Sequence, residues 1–163
     1  NQYSVLLDLM SPVENTWISF FNTNVNNTND GDYWVRDSDN LFGVSSNYTG
    51  TPLDRSRWNR ILITVDNVAG VINTYVDGNL ARTQSPSNAV DGRWSLDPEI
   101  LFMADNDGEV PTSYSLANAA LYPGVVTSSQ AQALGVAGAP VPEPASMIAL
   151  GAGLLAFARR RRR

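Results

Sequence analysis

The sequence predicts an all-β fold, a jelly roll or sandwich of short strands with one short helix near its end. Short runs rich in Val, Ile, Tyr, Phe and Trp recur along the 163 residues, separated by clusters of Asn, Asp, Gly and Pro. Residues 58–81 alternate with a period of two on both sides of a turn. Only one stretch carries the end signals of a helix. Many strands and one late helix leave two stacked sheets as the way to bury the apolar faces.

The elements follow in order. The chain opens inside an apolar run, Tyr3–Leu9, the first strand. It lacks an initiator Met and a secretory signal, so earlier strands and an export signal are expected upstream. Thr16–Phe21, Tyr33–Arg36 and Leu41–Val44 are the next strands. "NTNVNNTNDGD" at 22–32 is expected as a surface turn, too polar to be buried. In "WNRILITVDNVAGVINTYVDGNLA", Ile61, Ile63 and Val65 alternate with Leu62, Thr64 and Asp66. "NVAG" then turns the chain into Val71–Val76. Asp77-Gly78 is a strong hairpin signal, because Gly tolerates positive φ and Asp bonds its own backbone. Ile100–Ala104 and Tyr114–Tyr122 complete the strands. Thr127-Ser128-Ser129-Gln130 has the form of a capping box, and Gly135 is placed to close that helix.

Composition removes whole classes of chemistry. The chain has no Cys and no His, which excludes disulfides, thiolate nucleophiles, His-based triads and His-based zinc sites. Carboxylates and a hard cation held by oxygen remain. Of the 11 basic residues, five are the closing arginines, so the body is strongly acidic. Duplex nucleic acid needs a basic footprint, and the body offers none.

Two acidic clusters are the candidate sites. In "ADNDGE", Asp105, Asp107 and Glu109 surround a Gly turn and are the candidate ligands of a calcium ion, with a plain acidic β-turn as the alternative. In "NDGDYWVRDSDN" at 29–40, Asp32, Tyr33 and Trp34 form a candidate carbohydrate site, since rings stack on the apolar faces of sugars while polar groups fix hydroxyls. The competing expectation places Trp34, like Trp17, Trp58 and Trp94, in the core. The paired acids that glycoside hydrolysis needs do not appear on one strand; "DPEI" at 97–100 is the nearest string, and Pro98 marks it as a turn. The chain is therefore expected not to be an enzyme. Asn26 and Asn47 open N-x-Thr sequons, which matter only in a eukaryote.

"WNRILITVD…GVINTYVDG" resembles the central hairpin of laminin G-like domains of the concanavalin A-like lectin/glucanase type. "ILFMADNDGEVPTSYSLANAALYPGVVTSSQAQALG" is similar to the closing section of that family. The resemblance implies a concanavalin A-like jelly roll over residues 1–135, short of the family's opening strands.

The tail reads differently. "VAGAP" at 136–140 is small-residue chain, expected as a flexible spacer. From Ala145 to Ala158 the chain is almost wholly apolar, and fourteen helical residues reach about 21 Å against a hydrocarbon core of about 30 Å. Arg159, Arg160, Arg161, Arg162 and Arg163 would stay on the cytoplasmic side, which puts the body outside. Val141, Pro142, Glu143 and Pro144, the short span at 145–158 and the Arg cluster resemble, part by part, the PEP-CTERM sorting signal of Gram-negative bacteria over 141–163. That resemblance implies an exosortase as transient partner, the inner membrane as precursor location, and the cell surface or extracellular matrix as destination. Polysaccharide is the partner expected there. A purely structural matrix protein and a divergent glycan-active enzyme are the alternatives.

Overall fold

The computed structural model describes residues 1–26, 30–85, 90–96, 100–106 and 113–141. Among these the chain forms two five-stranded antiparallel sheets and one α-helix. The strands are β1 (Gln2–Met10), β2 (Ile18–Asn22), β3 (Asp32–Val35), β4 (Phe42–Val44) and β5 (Asn47–Thr49). They continue with β6 (Asn59–Asp66), β7 (Val71–Val76), β8 (Asn79–Gln84), β9 (Leu101–Phe102) and β10 (Ser115–Pro123), and α1 spans Ser128–Leu134. One sheet has the order β10-β1-β6-β7-β8 and the other β5-β4-β3-β2-β9. We call them the β1 sheet and the β3 sheet.

Alternation decides what each strand gives to the interior. Val5, Leu7 and Leu9 of β1 and Ile61, Ile63 and Val65 of β6 meet Ile18, Phe20, Phe21, Tyr33, Val35 and Phe42 of the other sheet. A bulge between Ser19 and Phe21 turns both Phe20 and Phe21 inward. Trp94 closes one end of this core from a 3-10 turn, Gly92–Trp94, capped by the Asp91 side chain. Its ring lies 6.1 Å from Phe21 and from Tyr33, edge-on to both, and its carbonyl accepts from the Tyr3 hydroxyl at 2.9 Å.

The central strands β1 and β6 are buried on both faces, which explains why Val5, Leu6 and Leu7 follow one another in β1. On the outer side of the β1 sheet, Leu6, Leu62, Tyr75 and Tyr122 form a second cluster with Val126, Ala131 and Leu134. Helix α1 covers that face. Thr127 and Gln130 make the reciprocal capping box, and Gly135 ends the helix at φ 70°.

Several expectations change. The sequence reading placed no strand at β5 or β8, and Ile100–Ala104 shortens to β9 because Met103 takes φ 52°. The 22–32 turn is not wholly exposed: Asn22 and Thr23 are buried, and Thr23 Oγ1 accepts from Gly31 N and donates to Arg93 O. Trp94 is in the core as expected, but Trp17 and Trp58 are 37% and 39% exposed. The spacer is docked, not free. Ala139 O accepts from Arg60 Nη2 at 2.7 Å, and Val141 packs on the second cluster.

Asp77 at φ 50° and Gly78 at φ 78° make the β7–β8 turn, and a Cβ on Gly78 would stand 3.0 Å from the Ala131 carbonyl oxygen of α1. Gly31 is held to glycine by Trp94, whose Cδ2 would lie 2.8 Å from an added Cβ. Trp94→Ala should lose about 3–5 kcal/mol of stability, and Gly31→Ala should also destabilise by displacing the ring. Urea unfolding checks both; midpoints equal to wild type would contradict this account of the core.

Candidate functional site

The outer face of the β3 sheet carries the aromatic groups that the interior does not take. Strand β3 sends Tyr33 and Val35 inward, so Asp32 and Trp34 share the opposite face. Trp34 Nε1 donates to Asp32 Oδ2 at 2.7 Å. Trp17, just before β2, meets Trp34 edge-on at 6.1 Å and Tyr48 of β5 edge-on at 5.5 Å. The Arg36 guanidinium stands 5.0 Å over the Tyr48 ring and pairs with Asp39. The result is an aromatic platform of Trp17, Trp34 and Tyr48 with a polar fringe of Asp32 and Arg36.

Buried arginines hold the platform's two flanks. Arg55 is 1% exposed, and its guanidinium donates to Asn40 Oδ1, Val13 O, Thr16 Oγ1 and Thr16 O. These bonds fix the Val13–Thr16 loop that delivers Trp17. Arg82 reaches across from β8 of the other sheet, donating to Phe42 O and, at 2.8 Å, to Asn47 Oδ1. It thereby fixes the β4–β5 turn that delivers Tyr48. Burial lowers the pKa of both guanidinium groups, yet a guanidinium stays charged at neutral pH.

The sequence-derived site is partly assembled. Asp32 and Trp34 meet on the platform. Tyr33 does not: it is fully buried between the sheets, with its hydroxyl 2.6 Å from Thr74 Oγ1 and burial pushing its pKa up to about 12. Trp34 is 8% exposed, buried by its platform neighbours and not by the core. Sequence reasoning missed Trp17 as a surface group, and Tyr48 and Arg36 altogether. Tyr48 sits inside a sequon and a strand of three residues, and no local signal marks it.

The two acidic clusters approach each other. Asn106 Nδ2 donates to Asp30 Oδ2 at 2.9 Å and to Asn24 O at 3.0 Å, joining the 105–106 segment to the loop ahead of β3. Of the calcium candidates, Asp105 lies in the described residues, whereas Asp107 and Glu109 lie outside them, as do the acids of "DPEI" and the second sequon position of Asn26. Among the described residues no group of three or more His, Cys, Asp or Glu is arranged to hold a metal ion. A separate open cleft of about 240 Å³ lies between Thr51, Asp54, Arg57, Asp77 and Leu80. Its charges already pair, Arg57 with Asp77 at 2.6 Å and with Asp54 at 3.2 Å.

Residues 140–163 match the PEP-CTERM protein-sorting motif. Such a motif implies export by way of the membrane and processing by an exosortase. Val141 belongs to this match and to the described residues; Pro142–Pro144, the 145–158 span and the Arg159–Arg163 cluster lie outside the latter. No curated protein sequence matches the chain significantly. In fold the chain is similar to a "putative carbohydrate binding protein" from Bacteroides ovatus, at TM-score 0.58 and 16% identity, over 80% of this chain and 40% of that one. It is also similar to a heptameric SAP-like pentraxin of Limulus polyphemus, at TM-score 0.55 and 18% identity, over 82% and 69%. Trypanosoma rangeli sialidase aligns at TM-score 0.58 and 14% identity, over 82% and 22%. At these identities the likeness shows the jelly-roll fold and nothing of activity. The chain spans less than half of the Bacteroides protein and about a fifth of the sialidase.

Burial holds the Asp32 carboxyl above the usual carboxylate range, and Asp30 pushes the same way; the Trp34 N–H and, more weakly, Arg93 pull against them. A carboxyl with a raised folded-state pKa costs stability while ionised, and that cost fades as pH falls through the folded value. Asp32→Asn keeps an acceptor for Trp34 Nε1. It should therefore melt above wild type at neutral pH, with the gap closing as pH falls through the raised value. Paired thermal melts between about pH 7 and about pH 4 check this; a gap that widens on acidification would contradict it.

Proposed function

We propose that the chain is an exported, non-catalytic sandwich protein of a Gram-negative bacterium that binds neutral polysaccharide at the cell surface or in the extracellular matrix through the Trp17–Trp34–Tyr48 platform. One observation carries the reading. A tryptophan 37% exposed is braced edge-on by two further rings, one bonded to a carboxylate and the other lying under a guanidinium. Trp17 and Tyr48 stand at the surface against the buried Trp34, where a ring face can cover the apolar face of a sugar.

Compartment and charge narrow the ligand. The sorting motif takes the body out through the membrane, where polysaccharide is the abundant polymer. The sequence pI is near 4.5, so an acidic polymer would be repelled at neutral pH. Arg36, the platform's cation, is already paired with Asp39. Neutral glycans are therefore the ligands of choice, and binding should vary little with salt.

Trp17→Ala should weaken binding to a neutral polysaccharide at least about ten-fold, equivalent to about 1.4 kcal/mol, and leave the melting midpoint within about 3 °C of wild type. A glycan array followed by titration, each with and without calcium, measures this. Absence of binding under both conditions would overturn the lectin reading in favour of a structural matrix protein. Binding lost only on calcium removal, and in Asp105→Ala, would place the ion at Asp105, Asp107 and Glu109.

A further inference from the structure

The sorting motif begins at residue 140, yet the chain on either side of that position is part of the sandwich. Arg60 is the reason. It is 2% exposed, and Nε and Nη2 grip the Asp8 carboxylate, each at 2.7 Å. Nη1 donates to Leu134 O, the last residue of α1, at 2.5 Å, and Nη2 also donates to Ala139 O at 2.7 Å. Beyond that bond, Val141 packs against the cluster of Leu6, Leu62, Tyr75 and Tyr122. One guanidinium thus ties together β1, the end of the helix and the root of the motif.

This grip exists only in the folded body. Asp8 and Arg60 are directly paired across β1 and β6, 52 residues apart in sequence. Strand pairing must be in register before the guanidinium is presented to Leu134 and Ala139. Between Val141 and the apolar run that opens at Ala145 stand only three residues, Pro142–Pro144, which fully extended span about 10 Å. With Ala139 and Val141 held down, the Pro-Glu-Pro box follows directly in sequence on a segment fixed to the sandwich.

We propose that the Asp8–Arg60 pair is a latch on the sorting motif: the folded domain holds residues 135–141 against the β1 sheet, and tail removal proceeds when this root lets go. Arg60 is then a positioning residue for processing, and the latch sets how long the folded precursor stays attached. The inference rests on the sorting function of residues 140–163 and is independent of what the aromatic platform binds.

Arg60→Lys tests it, because a lysine can still pair with Asp8 but its single ammonium cannot serve Asp8, Leu134 and Ala139 together. Asp8→Leu with Arg60→Met is the second variant, since removing both charges leaves neither buried alone. Three measurements are made on the full chain: melting midpoint, hydrogen exchange of residues 135–141, and, in a host with an exosortase, intact mass followed through a chase for loss of Arg163. In whichever variant melts like wild type, root exchange should be about ten-fold faster and the tail lost several-fold sooner. Root exchange or tail loss at the wild-type rate in a folded variant overturns the latch. Wild-type protein that keeps Arg163 in every fraction overturns processing itself, and the latch with it.

Discussion

Buried guanidinium groups hold this molecule's loops and ends to its sheets. The chain has no cysteine with which to cross-link segments, and all its cations are arginines. Arg55, Arg60 and Arg82 are each 3% exposed or less, and each binds segments distant in sequence. A planar fork of five donors can satisfy several carbonyls at once, which a lysine ammonium cannot do in the same geometry. The charge of Arg60 is met by Asp8, and that bond raises its pKa. Arg55 and Arg82 are served by neutral oxygens, so burial lowers theirs. These bonds come with a desolvation penalty that offsets part of what they add to stability.

That arrangement gives the sandwich two unlike outer faces. On the β1 sheet, helix α1 and the root of the sorting motif cover Leu6, Leu62 and Tyr75. On the β3 sheet, the outer face is left to Trp17, Trp34 and Tyr48. With sheets stacked about 10 Å apart, Val141 lies on one side of the molecule and the platform on the other.

Much of the fold was legible because it rests on local rules. The alternation of β6 and β7, the Asp77-Gly78 turn and the Thr127–Gln130 capping box all appear where their residues place them. Strand β8 was not legible, because "NLARTQ" turns a charged Arg82 inward against the usual preference. The platform was half legible. Asp32, Tyr33 and Trp34 are consecutive in a strand, so a period of two already forbids all three from sharing a face. Trp17 joins them through Arg55, which holds the neighbouring Thr16 from 39 residues away. The same distance problem hid the docked spacer: "VAGAP" is small and mobile in composition, and only the fold brings Arg60 to Ala139.

A buried guanidinium, through its bonds to Val13 and Thr16, sets the platform in place. Hydrogen exchange of residues 13–17 in Arg55→Lys, read beside polysaccharide affinity on the same sample, tests it most directly. Exchange in that loop should be faster and binding weaker, with exchange in β1 and β6 unchanged. A loop that exchanges as in wild type, with affinity intact, would contradict it.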